Sequence, residues 1–248
     1  MMSKPKSRRT YFYFLLFILF LIIGITFWFI SKNNLEPKTL VLHKTFKVTN
    51  ELSEMVQESD VVVLGEYKGL DSKWNMAKAP FEQNENVEGH LFNFQVNETL
   101  KGKPVEKEIL INHRYSEIIT IEESDEVVDE TGVIVQEAKN IFTKEVENKD
   151  PLYIKPAYGE KYMIFLKENS ELGHYYPAIE PFMIQFDSND VAQLKSNLIN
   201  LDKSKLKFKT KVEERTFYVI NEIHYTVVDN ISGKNIDEIL NSVKKAQQ

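Results

Sequence analysis

Twenty consecutive uncharged residues, Tyr11-Phe-Tyr-Phe-Leu-Leu-Phe-Ile-Leu-Phe-Leu-Ile-Ile-Gly-Ile-Thr-Phe-Trp-Phe-Ile30, constrain this chain more than any other feature. As a helix rising about 1.5 Å per residue, the run spans roughly 30 Å, the thickness of a hydrocarbon core. Fifteen of its residues are Phe, Leu or Ile. Together they favour insertion by about 4 to 9 kcal/mol, less for those away from the centre. Tyr11, Tyr13 and Trp28 fall near its ends, where amphipathic rings prefer the headgroup level. The run lacks the polar face that a helix of a soluble core would carry. A cleaved signal peptide has a shorter apolar stretch followed by a small-x-small site. Here the first alanine is Ala77, Gly24 and Thr26 lie inside the run, and no cysteine exists to carry a lipid. The expectation is a retained signal-anchor over 11–30.

Orientation follows from Lys4, Lys6, Arg8 and Arg9, which precede the run without an acid. Lys32, Lys38 and Lys44 follow it, partly offset by Glu36. The basic tail 1–10 is expected in the cytoplasm and the remaining domain outside the cell membrane. Of 248 residues, the 218 after Ile30 carry 27 basic and 37 acidic side chains, a net charge of −10. That balance excludes nucleic acid and anionic headgroups as partners, since both require a positive footprint. The bilayer itself, met through 11–30, is the one partner the sequence names.

Residues 31–48 read as a polar stalk and lead-in. Leu52, Met55 and Val56 recur at helical spacing over 50–59 behind Thr49 or Asn50 as cap. Val61-Val-Val-Leu-Gly-Glu-Tyr-Lys68 predicts a strand, and 71–89 a polar loop. Phe92, Phe94 and Val96 alternate along a second strand, Lys101-Gly-Lys-Pro104 turns the chain, and 106–113 is a third. Residues 114–158 break the rhythm as an insertion with a hairpin near Glu130-Thr-Gly132. Tyr162-Met-Ile-Phe-Leu166 is apolar on both faces, which predicts a central strand. The chain turns at 168–173 and runs back over 175–187. For 188–248 the pattern predicts a helix-strand-helix extension. Its parts are a helix over 188–201 capped by Ser188, a lysine-guarded edge strand over 206–212, a strand over 216–228, and a helix from Asn235. The fold class expected is α+β.

Chemistry-bearing motifs are sparse. His43, His90, His113, His174 and His224 are scattered, and none has another three or four residues away. The local pairings of zinc sites are therefore missing, leaving only a site assembled in space from distant residues. No Gly-x-Ser-x-Gly or phosphate-cradling glycine pattern occurs, and no cysteine nucleophile exists. Glu122, Glu123, Asp125, Glu126, Asp129 and Glu130 place six carboxylates in nine residues. They lack the alternating ligand spacing of a calcium loop and read as a solvated charge run. Asn97-Glu-Thr99 and Asn230-Ile-Ser232 match the glycosylation tripeptide. His174-Tyr-Tyr-Pro177 is an aromatic cluster able to stack on a sugar or peptide, or to serve as strand core.

Three ordered segments resemble a known family. Ser59-Asp-Val-Val-Val-Leu-Gly65, Phe92-Asn-Phe-Gln-Val96 ending in Lys101-Gly102, and Tyr158-Gly-Glu-Lys-Tyr-Met-Ile-Phe-Leu166 are similar to bacterial netrin-like modules. These are related to tissue inhibitors of metalloproteinases and occur in membrane-anchored or secreted proteins of Gram-positive bacteria. The resemblance covers about 50–187. It implies a five-stranded OB-like barrel with peripheral helices over 49–187, interrupted by the insertion 114–158. The inhibitors chelate a protease zinc through an N-terminal cysteine. This chain has none, so the resemblance implies a fold and not that mechanism.

These readings lead to a non-enzymatic, membrane-anchored binding or interaction module without a cofactor. Its expected contact surface is the acidic stretch Glu122, Glu123, Asp125, Glu126, Asp129 and Glu130, with Tyr175 and Tyr176. The alternatives are an envelope hydrolase whose site forms only in three dimensions, and an accessory or immunity-type membrane protein.

Overall fold

The computed structural model describes residues 36–77, 86–128, 131 and 133–248, and within the hydrophobic run only Ile18, Leu21 and Ile22. Those three are helical and exposed. The expected anchor over 11–30 otherwise lies outside the described residues, as do the tail 1–10 and residues 31–35 of the stalk. Among the described residues no helix is long and apolar enough to cross a membrane.

In chain order the described elements are β1 (Lys38–His43), α1 (Leu52–Glu58), β2 (Val61–Asn75), β3 (Val87–Lys101), β4 (Glu108–Ser124), β5 (Val127–Val128), β6 (Ile134–Gln136) and β7 (Ile141–Lys149). There follow β8 (Lys161–Asn169), β9 (His174–Pro177), β10 (Met183–Phe186), β11 (Ala192–Lys195), a short 3-10 turn (Lys203–Leu206), β12 (Lys207–Val212), β13 (Arg215–Glu222) and α2 (Ile236–Ala246). The class is α+β and mostly sheet. The long sheet has the order β11-β10-β8-β2-β3-β4-β7, and β9 pairs with both β4 and β8. Pairing therefore runs β2–β3–β4–β9–β8 and returns to β2. The β4–β9 step is parallel, through Ile111 and Tyr175, and the others are antiparallel. Strands β1, β13 and β12 form a separate three-stranded sheet.

The described residues divide into two compact units. The larger holds 41–121, 143–208 and 219–248; the smaller holds the described part of 1–40, 122–142 and 209–218. In the larger unit Tyr162, Met163, Ile164, Phe165 and Leu166 of β8 are all fully buried, and the strand is paired by β2 on one edge and by β10 and β9 on the other. At the centre stands Tyr67, ringed edge-on by Phe92, Phe94, His113 and Tyr162 at 5.0–5.8 Å between centroids. Helix α2 begins with a capping box, Asn235 to Glu238, and buries Ile239 and Val243 in the same core as Met55 and Val56 of α1.

The segments that carry the family resemblance have structural jobs here. Ser59 Oγ donates to the Met55 carbonyl at 2.6 Å, and Asp60 Oδ2 accepts the Glu168 amide at 3.2 Å. Lys101 Nζ donates to the Val56 and Ser59 carbonyls at 2.6 Å each, which satisfies the end of α1. Gly102 turns at φ +90 with Asp60 O only 2.4 Å from where a Cβ would stand. At Gly65 a Cβ would lie 2.0 Å from the Gln95 carbonyl oxygen, so strands β2 and β3 can approach only over glycine.

Several expectations are corrected. Residues 188–201 are not helical: β11 occupies 192–195 and pairs with β10, Ala192 and Leu194 facing inward. The helical spacing of Val191, Leu194, Leu198 and Leu201 also satisfies a strand followed by a turn, and sheet pairing decides between them. The 188–248 segment is thus strand, 3-10 turn, two strands and a helix. The predicted loop 71–89 instead continues β2 to Asn75 and opens β3 at Val87. Strand β4 likewise runs unbroken to Ser124, through the start of the expected insertion. The return over 175–187 is broken into β9 and β10. The α1 N-cap is Glu51, while Thr49 Oγ1 accepts the Glu51 amide.

Candidate binding cleft

Four segments of the larger unit line one cleft of about 210 Å³. Phe46 and Lys47 come from the lead-in after β1, and His113 and Arg114 from β4. Asp150, Leu152, Tyr153 and Ile154 follow β7, and 177–182 follow β9. Asn197 pins the 150–154 turn by donating to the Pro151 and Tyr153 carbonyls at 2.8 and 3.2 Å. Backbone bonds from Glu180 N to Lys47 O and from Thr49 N to Glu180 O, both 3.0 Å, pin the opposite wall. The walls are apolar: Phe46, Leu152, Ile154, Ile179 and Phe182.

Two carboxyl groups interrupt that lining. Glu180 is 8% exposed, and burial pushes its carboxyl up to about 7, against the hydrogen bond from Ser196 Oγ and helped by the nearby Asp150. Asp150 is also raised, by burial first, although its Oδ1 accepts the Leu152 amide at 2.8 Å and Arg114 Nε stands 3.4 Å from Oδ2. The Arg114 guanidinium is shared, its Nη2 bonding Glu117. Lys47 is engaged with Glu58 at 2.7 Å. A buried carboxyl held near neutrality lacks a full cationic partner, and a ligand bringing one would be favoured there.

His113 cannot supply base chemistry. Burial drives its ring down to about 3, and one ring nitrogen donates to the Ile154 carbonyl. Since a carbonyl only accepts, Nε2 must be the acceptor, and Tyr67 Oη donates to it at 2.9 Å. The imidazole is neutral and fully occupied. Tyr153, edge-on to His90 and Tyr115, is pushed up to about 12 by burial. A wider depression of about 580 Å³ lies along Ser196, Asn197, Asp202, Lys205 and Asp229. Its carboxylates serve their own turns: Asp202 accepts the Ser204 amide and Asp229 those of Ile231 and Ser232.

The sequence-predicted surface residues fare unevenly. Glu123 is a correction to the solvated run, for it is buried in the smaller unit between Lys38 at 2.9 Å and Arg215 at 3.1 Å. The inside–outside alternation of β4 turns it inward, and two cations offset its desolvation. Glu122 and Glu126 are exposed. Asp125 accepts the Asn140 and Lys139 amides, which hold its carboxyl below the ordinary range. Asp129 and Glu130 lie outside the described residues. Tyr175 and Tyr176 are half-buried in β9, in the larger unit, and burial raises Tyr175. Sequence reasoning missed Asp150 and Glu180 entirely. Each stands alone in an irregular segment, and only the third dimension joins them. It also left the histidines apart, yet His43 and His224 meet at Glu222, the one group among the described residues whose side chains converge as metal ligands do. No family model, no curated protein and no solved structure matches this chain.

Proposed function

We propose that the chain is a membrane-anchored binding module on the outer face of the cell, whose cleft takes a basic side chain of an envelope protein or peptide. The observation that carries this reading is the pair of Glu180, buried, and Asp150, half-buried, among apolar walls with both carboxyls raised. A cavity of about 210 Å³ is smaller than the 300–1,000 Å³ typical of small-molecule sites. It suits one alkyl stem ending in a cation. The ammonium or guanidinium meets the carboxyls, and Phe46, Leu152 and Phe182 cover the stem. The acidic balance of the chain steers such a ligand inward.

Anchoring by 11–30, with the basic tail inside, rests on the hydrophobic run and its flanks. We further read the cyclic strand order as an OB-type barrel of the netrin-like kind. The support is the return of pairing to β2 with β4 and β9 parallel, the first, third and fifth strands of such a barrel being β2, β4 and β9.

The test is binding of short lysine-containing peptides to the full-length chain in detergent, by fluorescence anisotropy, against the same peptides carrying norleucine. The lysine form should bind at least about tenfold tighter, and Glu180→Gln with Asp150→Asn should erase the preference. Equal binding of the two peptides sinks the reading. A second reading, an envelope hydrolase, is favoured by one observation: a carboxyl near pH 7 in a cleft suits a general acid. Turnover of envelope polymers by the native chain, lost in Glu180→Gln with folding intact, would replace binding by catalysis.

A further inference from the structure

Three ligand-type side chains, none of them a lining residue of the cleft, meet at the ends of two neighbouring strands. Strand β1 ends at His43 and β13 ends at Glu222. The Lys44 amide donates to the Glu222 carbonyl at 3.1 Å, which locks the two strand ends together. Along 221–224 the inward positions are Asn221 and Ile223. Asn221 forms a reciprocal amide pair with Asn148 at 2.9 and 3.0 Å, and Ile223 packs on the core. Alternation therefore sends Glu222 and His224 out on one face, beside His43.

The resulting geometry resembles a coordination shell. His43 Nδ1 is 2.6 Å and His224 Nε2 3.3 Å from the same oxygen, Glu222 Oε2. All three ligand atoms lie within 4.8 Å of one another. A tetrahedral zinc with bonds of about 2.0–2.1 Å holds neighbouring donors about 3.3 Å apart. The His224–Glu222 edge already has that length, and the His43–Glu222 edge needs to open by about 0.7 Å. Both histidines are exposed, so their rotamers are free to make that change.

We propose that His43, Glu222 and His224 form a binding site for a divalent transition ion, zinc by preference, with its fourth position open to solvent. Two imidazoles and one carboxylate suit zinc and disfavour calcium and magnesium, which require several oxygen ligands. Three protein ligands plus an open position is the arrangement that lets an ion exchange or accept a further ligand. The ion also cross-links β1 to β13 by bonds that the unfolded chain lacks, so its uptake stabilises the fold.

The test is titration of zinc into full-length chain without a polyhistidine tag, in mild detergent, read by competition with a chromogenic chelator. Thermal melting is followed in parallel. One equivalent should bind and raise the melting temperature. His43→Ala and His224→Ala should each weaken binding at least about tenfold, and the double variant should lose both the equivalent and the melting shift. X-ray absorption at the zinc edge should report two imidazole ligands. Uptake by the double variant equal to that of the native chain, or a spectrum with fewer than two imidazoles, overturns the assignment. So does a native chain that binds no zinc.

Discussion

Replacing Glu180 by glutamine should reshape the dependence of stability on pH. Moving a carboxyl from an ordinary 4.5 to about 7 separates its protonated and ionised native forms by about 3 kcal/mol, at roughly 1.4 kcal/mol per pH unit. Between pH 4.5 and 7 the native Glu180 keeps its proton while the unfolded one has released it. The native state then binds more protons, so stability falls as pH rises through this window and levels off above it. His113 works in the opposite sense. Its ring is 6.5 when unfolded and about 3 in the fold, so below pH 6.5 the unfolded chain gains a proton that the native one refuses, a loss approaching about 5 kcal/mol near pH 3.

Between pH 4.5 and 6.5 the two slopes oppose one another and nearly cancel in the native chain. Glutamine mimics the neutral acid and removes only the Glu180 contribution. Glu180→Gln should therefore match the native chain near pH 4 and exceed it by about 3 kcal/mol at pH 8. Asp150 is raised in both chains, and its contribution cancels in the difference to first order. Urea unfolding of the full-length chain followed by tryptophan fluorescence reads this directly, since Trp74 packs on His174 at 5.0 Å and donates to Asn112 at 2.9 Å. A stability difference that stays constant within about 0.5 kcal/mol from pH 4 to pH 8 would refute both the burial argument and the cleft assignment built on it.

His113→Leu removes the ring partner of the Ile154 carbonyl and leaves the Tyr67 hydroxyl only Met183 Sδ, at 3.6 Å. It should cost about 2–4 kcal/mol at pH 8 and reduce the fall in stability toward acid, leaving the part due to lowered carboxylates such as Glu117 and Asp229, as urea midpoints across pH would show. Gly65→Ala puts a methyl group 2.0 Å from the Gln95 carbonyl oxygen, so thermal melting should show a loss of more than about 3 kcal/mol or no folded protein; a neutral outcome refutes the close approach. Lys101→Met keeps the alkyl stem and removes the donor to Val56 and Ser59. A loss of about 1.5–3 kcal/mol is expected in chemical denaturation.

Much of the frame was legible because period-two patterning over a buried strand leaves little choice. The run from Tyr162 to Leu166 is apolar on both faces and fully buried within the sheet, and its one polar side-chain group, the Tyr162 hydroxyl, accepts the Ala157 amide. The last helix was legible through Asn235, Glu238 and a single apolar stripe. The failures share one cause. Val191, Leu194 and Leu198 fit a helix as well as a strand plus turn, and only the neighbouring β10 decides for the strand. The polar residues 71–75 read as loop because 71–73 are exposed on both faces, and only backbone pairing with β3 makes them strand.

Function escaped the sequence for a different reason. Residues that form visible motifs, such as Ser59, Asp60, Gly65, Lys101 and Gly102, close turns and cap α1, tasks that demand fixed residue types at fixed spacing. Asp150 and Glu180 need no such spacing, because a cleft between segments 30 residues apart asks only that each carboxyl arrive at the same wall. The same holds for His43 and His224, which a single strand pairing joins across 181 positions. Charge density shows only part of the picture: the acidic run is conspicuous in the sequence, yet its buried member, Glu123, is ion-paired with Lys38 and Arg215. What distinguishes a candidate site here is the unmet demand of a buried group. Glu180, raised by burial and without a cationic partner of its own, has that demand, and the proposed cationic ligand is the group that would meet it.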